Sequence, residues 1–219
     1  NEMPISSKKC IKTMAKLFYY LFGCQGPSSI SGMQEPAKLS TKEGIELFFT
    51  LTKVFQSKQV YLKRLVFILL KELATISSDT IIATSSLIHE FNTQHHAADR
   101  IDAGYKAGAL RALASILQSS MLQSNERLFK QAILDKSPCI SSAGIVSSYL
   151  AWSEGKEVVK RWSNEIGQQL TSGSITQYHA LGLMYLIRSN DRISLVKLLG
   201  GILHGGISGA SSHPAAVMF

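Results

Sequence analysis

No stretch of this sequence is apolar for long enough to cross a bilayer. The longest clean apolar run, residues 65–70, falls far short of the roughly 20 residues a spanning helix needs. Cysteine is scarce as well: Cys10, Cys24 and Cys139 are an odd set at wide spacing, with no CxxC pair. That argues for a reducing compartment, with the thiols serving as small apolar side chains. Acidic residues are outnumbered, so the net charge is +8, and charged residues make up a modest 17%. The basic residues are spread out, with local groups at Lys8-Lys9-Lys12-Lys16 and Lys58-Lys63-Arg64 and no dense arginine-rich run. A charge of this sign suits an anionic partner, whether nucleic acid, a lipid surface or an acidic protein, but a solvated basic surface also accounts for it.

The chemistry of catalysis is also missing. The glycines between 200 and 212 are not followed by Lys and Ser/Thr, which excludes a phosphate-binding P-loop and leaves a loop between repeats. His95-His96 beside Asp99 are too close together to close a metal shell by themselves. His179 reads as a core histidine, because no nucleophile points to a cleft around it. Asp79 and Glu90, eleven residues apart, read as the capping and solvated residues of one helix. No enzyme, metal or cofactor is expected.

What is present is helical periodicity. No alternating strand pattern competes with it, so the class is all-α. Ten helices are expected: 5–22, 40–55, 60–76, 79–91, 101–117, 119–134, 138–151, 153–170, 175–187 and 191–203. Lys8-Lys9 before an apolar stretch ending at Cys24 imitates a secretion signal, but Lys12 and Lys16 interrupt it. An amphipathic first helix ended by Gly23, with Ile11, Met14, Ala15, Leu17, Phe18 and Leu21 inward, explains the same residues. Residues 23–40 read as an exposed linker, and Ser40 or Thr41 caps the next helix, which has Glu43 in its first turn. Pro138 fits the first position of its helix, where a missing N–H costs nothing. Residues 174–192 read as a helix buried on more than one side.

The helices repeat. Segments starting at Leu62, Tyr105, Ile140 and Ile175, which lie 43, 35 and 35 residues apart, place Leu62/Leu65/Val66/Leu69, Tyr105/Gly108/Ala109/Ala112, Ile140/Ala143/Gly144/Ser147 and Ile175/Tyr178/His179/Gly182 on matching faces. An apolar helix lies between each pair. This is a HEAT or armadillo-like α-solenoid of stacked hairpins, whose small residues permit close approach and whose repeats share one core. The expected organisation is a single segment, 1–219: a helix and linker over 1–39, repeats over 40–203, and a Gly/Ser-rich loop with the start of another helix over 204–219. The start at Asn1 and the apolar end at Val217-Met218-Phe219 suggest a fragment of something longer.

Two faces carry more than their share of apolar residues. On 79–91, Ala83, Leu87 and Phe91 form the core stripe, while Ile81, Thr84, Ser85 and Ile88 fall on a neighbouring arc. A second packing neighbour or a partner explains that arc. In the helix after Ser119, Asn125 falls within the arc of Met121, Leu122, Leu128, Phe129, Ala132 and Ile133. Either it is satisfied internally or the arc opens onto a partner there.

The runs LFFTLTKVFQSKQVYLKRLVFILLKEL, SSDTIIATSSLIHE, LQSSMLQSNERLFKQAILDKSPCISSAGIVSS, VVKRWSNEI and QYHALGLMYLIRSNDR, which cover most of residues 45–200, resemble the start of the coatomer gamma trunk, the adaptin-like large subunit of coat protein complex I (COPI). The chain departs from that pattern over 95–103, at Asn125 and in its Gly-rich tail. The resemblance implies a cytoplasmic coat subunit, peripheral on Golgi membranes and COPI vesicles and recruited by a GTP-loaded Arf-family small GTPase. It also implies a zeta-type small subunit and other coatomer subunits as partners, and contact with an anionic membrane. The related adaptin large chains place GTPase contacts on the helix equivalent to 79–91. That maps to Ile81, Thr84 and Ile88, and the expected docking set adds Ile82, with Met121 and Asn125 from the next similarly oriented helix. The rival readings are a karyopherin-like scaffold, which would bind peptides, and a nucleic-acid-binding solenoid, which would show strongly salt-dependent binding.

Overall fold

The computed structural model describes residues 6–22, 39–54, 59–74, 81–93, 100–172 and 174–203. Among these residues there is no strand, and twelve helices account for most of them. Two compact units, Asn1–Thr93 and Gln94–Phe219, divide it.

The first unit holds α1 (Ser7–Phe22), α2 (Thr41–Lys53), α3 (Val60–Leu73) and α4 (Ile81–Asn92). Ser40 caps α2 through a reciprocal box: its hydroxyl accepts from the Glu43 N–H, and the Glu43 carboxylate accepts from the Ser40 N–H at 3.0 Å. The Ser40 hydroxyl, which donates to the Glu43 carboxylate at 2.7 Å, and then the Ser40 N–H hold that carboxyl below the usual carboxylate range. Helices α1 and α2 both pack on α3, and α2 also packs on α4. The core is Phe48 and Leu51 of α2, Leu62, Val66, Leu69, Leu70 and Leu73 of α3, and Ala83 and Leu87 of α4, with Met14 reaching in from α1. Fully burying one such side chain is worth roughly 1.5–3 kcal/mol. Ala15 of α1, expected inward, is exposed. The expected linker lies mostly outside the described residues, as do the capping residue Asp79 and the histidines His95 and His96.

The second unit holds α5 (Arg100–Ile116), α6 (Ser119–Ser124), α7 (Glu126–Ile133), α8 (Pro138–Glu154), α9 (Lys156–Lys160), α10 (Ser163–Gln168), a short 3-10 turn (Gln169–Thr171), α11 (Ser174–Arg188) and α12 (Arg192–Leu203). Helix α8 is its hub and packs against α5, α7 and α11. It is buried on several sides at once, and its small residues allow that: Ser141, Ser142, Ala143, Gly144, Ser147, Ser148 and Ala151 are all covered. A short side chain exposes its hydroxyl to the local backbone, and two of the serines use it. Ser148 donates to the Gly144 carbonyl at 2.8 Å, and Ser141 donates to the Ile133 carbonyl, also at 2.8 Å, which satisfies one of the last acceptors of α7.

Ten helices become twelve because two expected helices break. The first breaks at Asn125, which takes φ −100° and ψ 6° between α6 and α7. Its side chain donates to the Met121 carbonyl at 2.8 Å, taking up an acceptor of the preceding turn. The second, expected over 153–170, breaks at Gly155 and again at Arg161-Trp162. There the Trp162 ring stacks on Phe129, with centroids 5.3 Å apart and an interplanar angle of 12°. Both rings are fully buried.

Of the four aligned segments, three keep the expected face in substance. In α5 Tyr105, Ala109 and Ala112 are buried, as are Ile140, Ala143, Gly144 and Ser147 in α8. In α11 the register slips by one residue. Ile175 is exposed and Tyr178 and His179 are half-buried, whereas Thr176, Ala180 and Leu183 are buried, together with Gly182 of the expected face. Polar anchoring of the first turn explains the slip: Gln177 donates to the Leu170 carbonyl at 2.7 Å and Thr176 to the Pro138 carbonyl at 3.4 Å.

Candidate functional site

The six candidate residues divide between the two units. Four stand on α4, and Met121 and Asn125 stand at α6. On α4 the helical repeat decides which side chains reach solvent. Thr84, Leu87 and Phe91 follow one stripe at i, i+3 and i+7 and are all buried. Ile81, Ser85 and Ile88 follow another at i, i+4 and i+7. Ile81 is 63% exposed and Ile82 46%, while Ile88 is half-buried. Thr84 is only 2% exposed, and its hydroxyl has no hydrogen-bond partner. The surface of the arc is therefore made by Ile81, Ile82 and Ser85 with the edge of Ile88, and Thr84 supports it from beneath.

Helix α4 is held from behind by a feature the charge pattern concealed. Lys63 of α3 and Glu90 of α4 form an ion pair, and both are more than nine-tenths buried. Neither the solvated role expected for Glu90 nor the surface basic group containing Lys63 holds. Register gives the reason. Lys63 shares a stripe with Val66 and Leu70, and Glu90 shares one with Ala83 and Leu87, so each charge falls on a core-facing row. One charge on an otherwise apolar stripe in each of two helices was the available signal.

In the second unit, Met121 and Asn125 are half-buried and lie beside the covered Leu122. The Met121 carbonyl accepts both the side-chain amide of Asn125 and its backbone N–H, the latter at 3.3 Å. Asn125 is thus satisfied internally at that donor. Next to it, Glu126 and Lys130 of α7 pair at 3.2 Å, Glu126 accepts from Arg161 at 2.8 Å, and Lys130 reaches Glu165 of α10 at 3.2 Å. Partial burial raises the Glu126 carboxyl, but hydrogen bonds and charge from Lys130 and Arg161 outweigh it and leave the group below its usual value. This network clamps α7 to the α9–α10 corner.

His179 of α11 is half-buried. Burial and then the nearby Arg111 charge lower its pKa, which favours a neutral ring beside Tyr178, 5.4 Å between centroids. Among the described residues, no cluster of three or more His, Cys, Asp or Glu is arranged to hold a metal, and no helix is long and apolar enough to cross a membrane. What this arrangement can do chemically is present apolar surface on a fixed helix to another macromolecule.

The family described as the adaptin N terminal region matches residues 1–207. The chain is 39% identical over 208 residues to coatomer subunit gamma of Drosophila melanogaster, covering 94% of this chain and 21% of the relative. It is 41% identical over 200 residues to coatomer subunit gamma of Anopheles gambiae, covering 91% and 21%. Coatomer subunit gamma-1 of Homo sapiens is 38% identical over 208 residues, covering 94% and 22%. The chain spans about a fifth of the length of these relatives.

Proposed function

This chain belongs to the adaptin N-terminal region family, and on that premise we propose that it is part of a coatomer gamma subunit that recognises a GTP-loaded Arf-family small GTPase. The role is recruitment of the COPI coat to Golgi membranes, for retrograde Golgi-to-ER and intra-Golgi transport, and it involves no catalysis. In this reading the chain works in the cytoplasm, peripheral on Golgi membranes and coated vesicles. It acts together with a zeta-type small subunit and other coatomer subunits, and its basic charge favours the anionic leaflet.

The observation that supports the reading is the exposure of Ile81 and Ile82 at the start of α4, beside the half-buried Ile88. Exposed isoleucines at consecutive positions on a helix anchored from behind are poor solvent surface and good docking surface. Coupling to nucleotide needs no moving part in this chain. GTP orders the switch segments of the GTPase, and a surface complementary only to the ordered form binds that form preferentially.

The test is a pull-down of this chain with an Arf-family GTPase locked in its GTP or GDP form, at physiological salt. GTP-selective capture is expected. Ile81→Asp forfeits the burial of one isoleucine and introduces a charge, so affinity should fall at least about thirtyfold while helicity and melting stay unchanged. Undiminished binding by that variant would show that the assigned face is wrong.

A further inference from the structure

We propose that the row of helices α5, α8 and α11 is a docking surface for an acidic peptide segment of a partner protein, with Arg111 holding a carboxylate among Tyr149, Tyr178 and His179. None of these residues belongs to the face assigned to the GTPase, so the inference stands apart from that reading.

Packing brings the four residues to one surface. Helix α8 lies against both α5 and α11. On α5 Arg111 is exposed, on α8 Tyr149 is half-buried, and on α11 Tyr178 and His179 are half-buried with ring centroids 5.4 Å apart. Tyr185, on the same stripe of α11 as Tyr178, is 45% exposed. The rings and the guanidinium feel one another across the row. Burial and then Tyr178 push the Tyr149 phenol up to about 12, and burial and then the Arg111 charge lower the pKa of His179. At neutral pH the surface therefore offers a guanidinium, the protonated phenol of Tyr149 and a neutral imidazole, each able to donate a hydrogen bond.

What the row lacks is an acid to receive them. Its carboxylates are Asp102, in the first turn of α5 and about 13 Å along the axis from Arg111, and Glu154, the last residue of α8, which accepts from Ser119 of α6 at 3.2 Å. Among the described residues Arg111 is in no ion pair, and Arg188 of α11 turns instead to the Ser194 carbonyl at 3.4 Å. A planar guanidinium beside tyrosine rings suits a carboxylate, which it grips through two parallel hydrogen bonds. Tyrosine and arginine are also the side chains that concentrate binding energy at protein interfaces. A nucleic acid fits less well, because its closely spaced phosphates call for a run of cations and this surface has one at its centre.

The experiment is fluorescence anisotropy of a labelled peptide of alternating glutamate and leucine with the 219-residue chain at physiological salt. The glutamine–leucine counterpart and a single-stranded oligonucleotide are measured alongside. Saturable binding is expected for the glutamate peptide and not for the other two. Arg111→Gln should weaken it about tenfold or more, and Arg111→Lys, which keeps the charge but loses the fork, should recover only part of that loss. Tyr149→Phe keeps the ring, removes a donor and should weaken binding several-fold. Arg127→Gln, an equal loss of charge at an exposed position of α7, is the control and should leave binding nearly unchanged. All four variants should keep the helicity of the unmodified chain. The inference is overturned if the unmodified chain ignores the glutamate peptide, if Arg111→Gln binds it as well as the unmodified chain does, or if Arg127→Gln weakens binding as much as Arg111→Gln. It is overturned equally if the oligonucleotide binds more tightly than the peptide and shares its dependence on Arg111.

Discussion

Gly144 shows how tightly single positions are constrained where α7 and α8 meet. A Cβ added there would lie 2.9 Å from the Ile133 nitrogen and 3.0 Å from the Ala132 carbonyl carbon. Both are backbone atoms, so no side chain can swing aside and the two helices must separate. Gly144→Ala should therefore cost about 1–3 kcal/mol, outweighing the up to about 1 kcal/mol that alanine gains as a helix former. A urea midpoint that falls while the spectrum stays helical is the expected result. Gly167 in α10 is the control, because a Cβ there meets nothing within 4 Å and alanine should stabilise. If both variants shift the midpoint upward, the α7–α8 contact is softer than its geometry. The need for small residues in α8 was legible from Ala143, Gly144 and Ser147 at helical spacing. Which backbone Gly144 meets was not, because that depends on the break at Asn125.

Between elements, the least expected contact is the buried Lys63–Glu90 pair joining α3 to α4. Two charges out of water are costly together and much costlier apart. Glu90→Gln removes the carboxylate charge opposite the buried Lys63 ammonium and should cost about 3–5 kcal/mol, whereas Lys63→Met with Glu90→Leu should be near neutral. Urea denaturation of the two variants checks this. A double variant as unstable as the single one would mean that the pair contributes beyond what apolar packing can replace. Apolar spacing located the helices well, since it depends on burial that each helix shows in its own sequence. It missed what arises between helices. The corner at Trp162 exists because that ring stacks on Phe129, and the slipped register of α11 follows from hydrogen bonds to Leu170 and Pro138. On α4 the core stripe was legible and the arc only partly so. Spacing alone puts Thr84 on the arc of Ile81 and Ile88, but it lies in line with Leu87 and Phe91 beneath the exposed surface.

At the scale of the molecule, the helix-repeat plan sets how stability is distributed. A repeat contacts only its neighbours, so protection should follow the number of packed sides. Within the second unit α8 lies against α5, α7 and α11, whereas α12 rests chiefly on α11 and leaves Ile193 and Val196 exposed. Asp191 anchors the start of α12, accepting from the N–H groups of Ile193 and Ser194 at 3.1 and 3.2 Å, but a cap stabilises one turn and not a whole helix. Amide hydrogen exchange should therefore be slowest in α8, and α12 should open at a lower free energy than α8 under the same conditions. Equal protection of the two helices would show that the second unit opens as one cooperative block. Such a gradient suits a recognition surface, because a partner seated on a rigid helix loses little entropy in ordering it. In the first unit, α4 has that rigidity at its Leu87 and Glu90 side, and the same helix presents Ile81 to solvent.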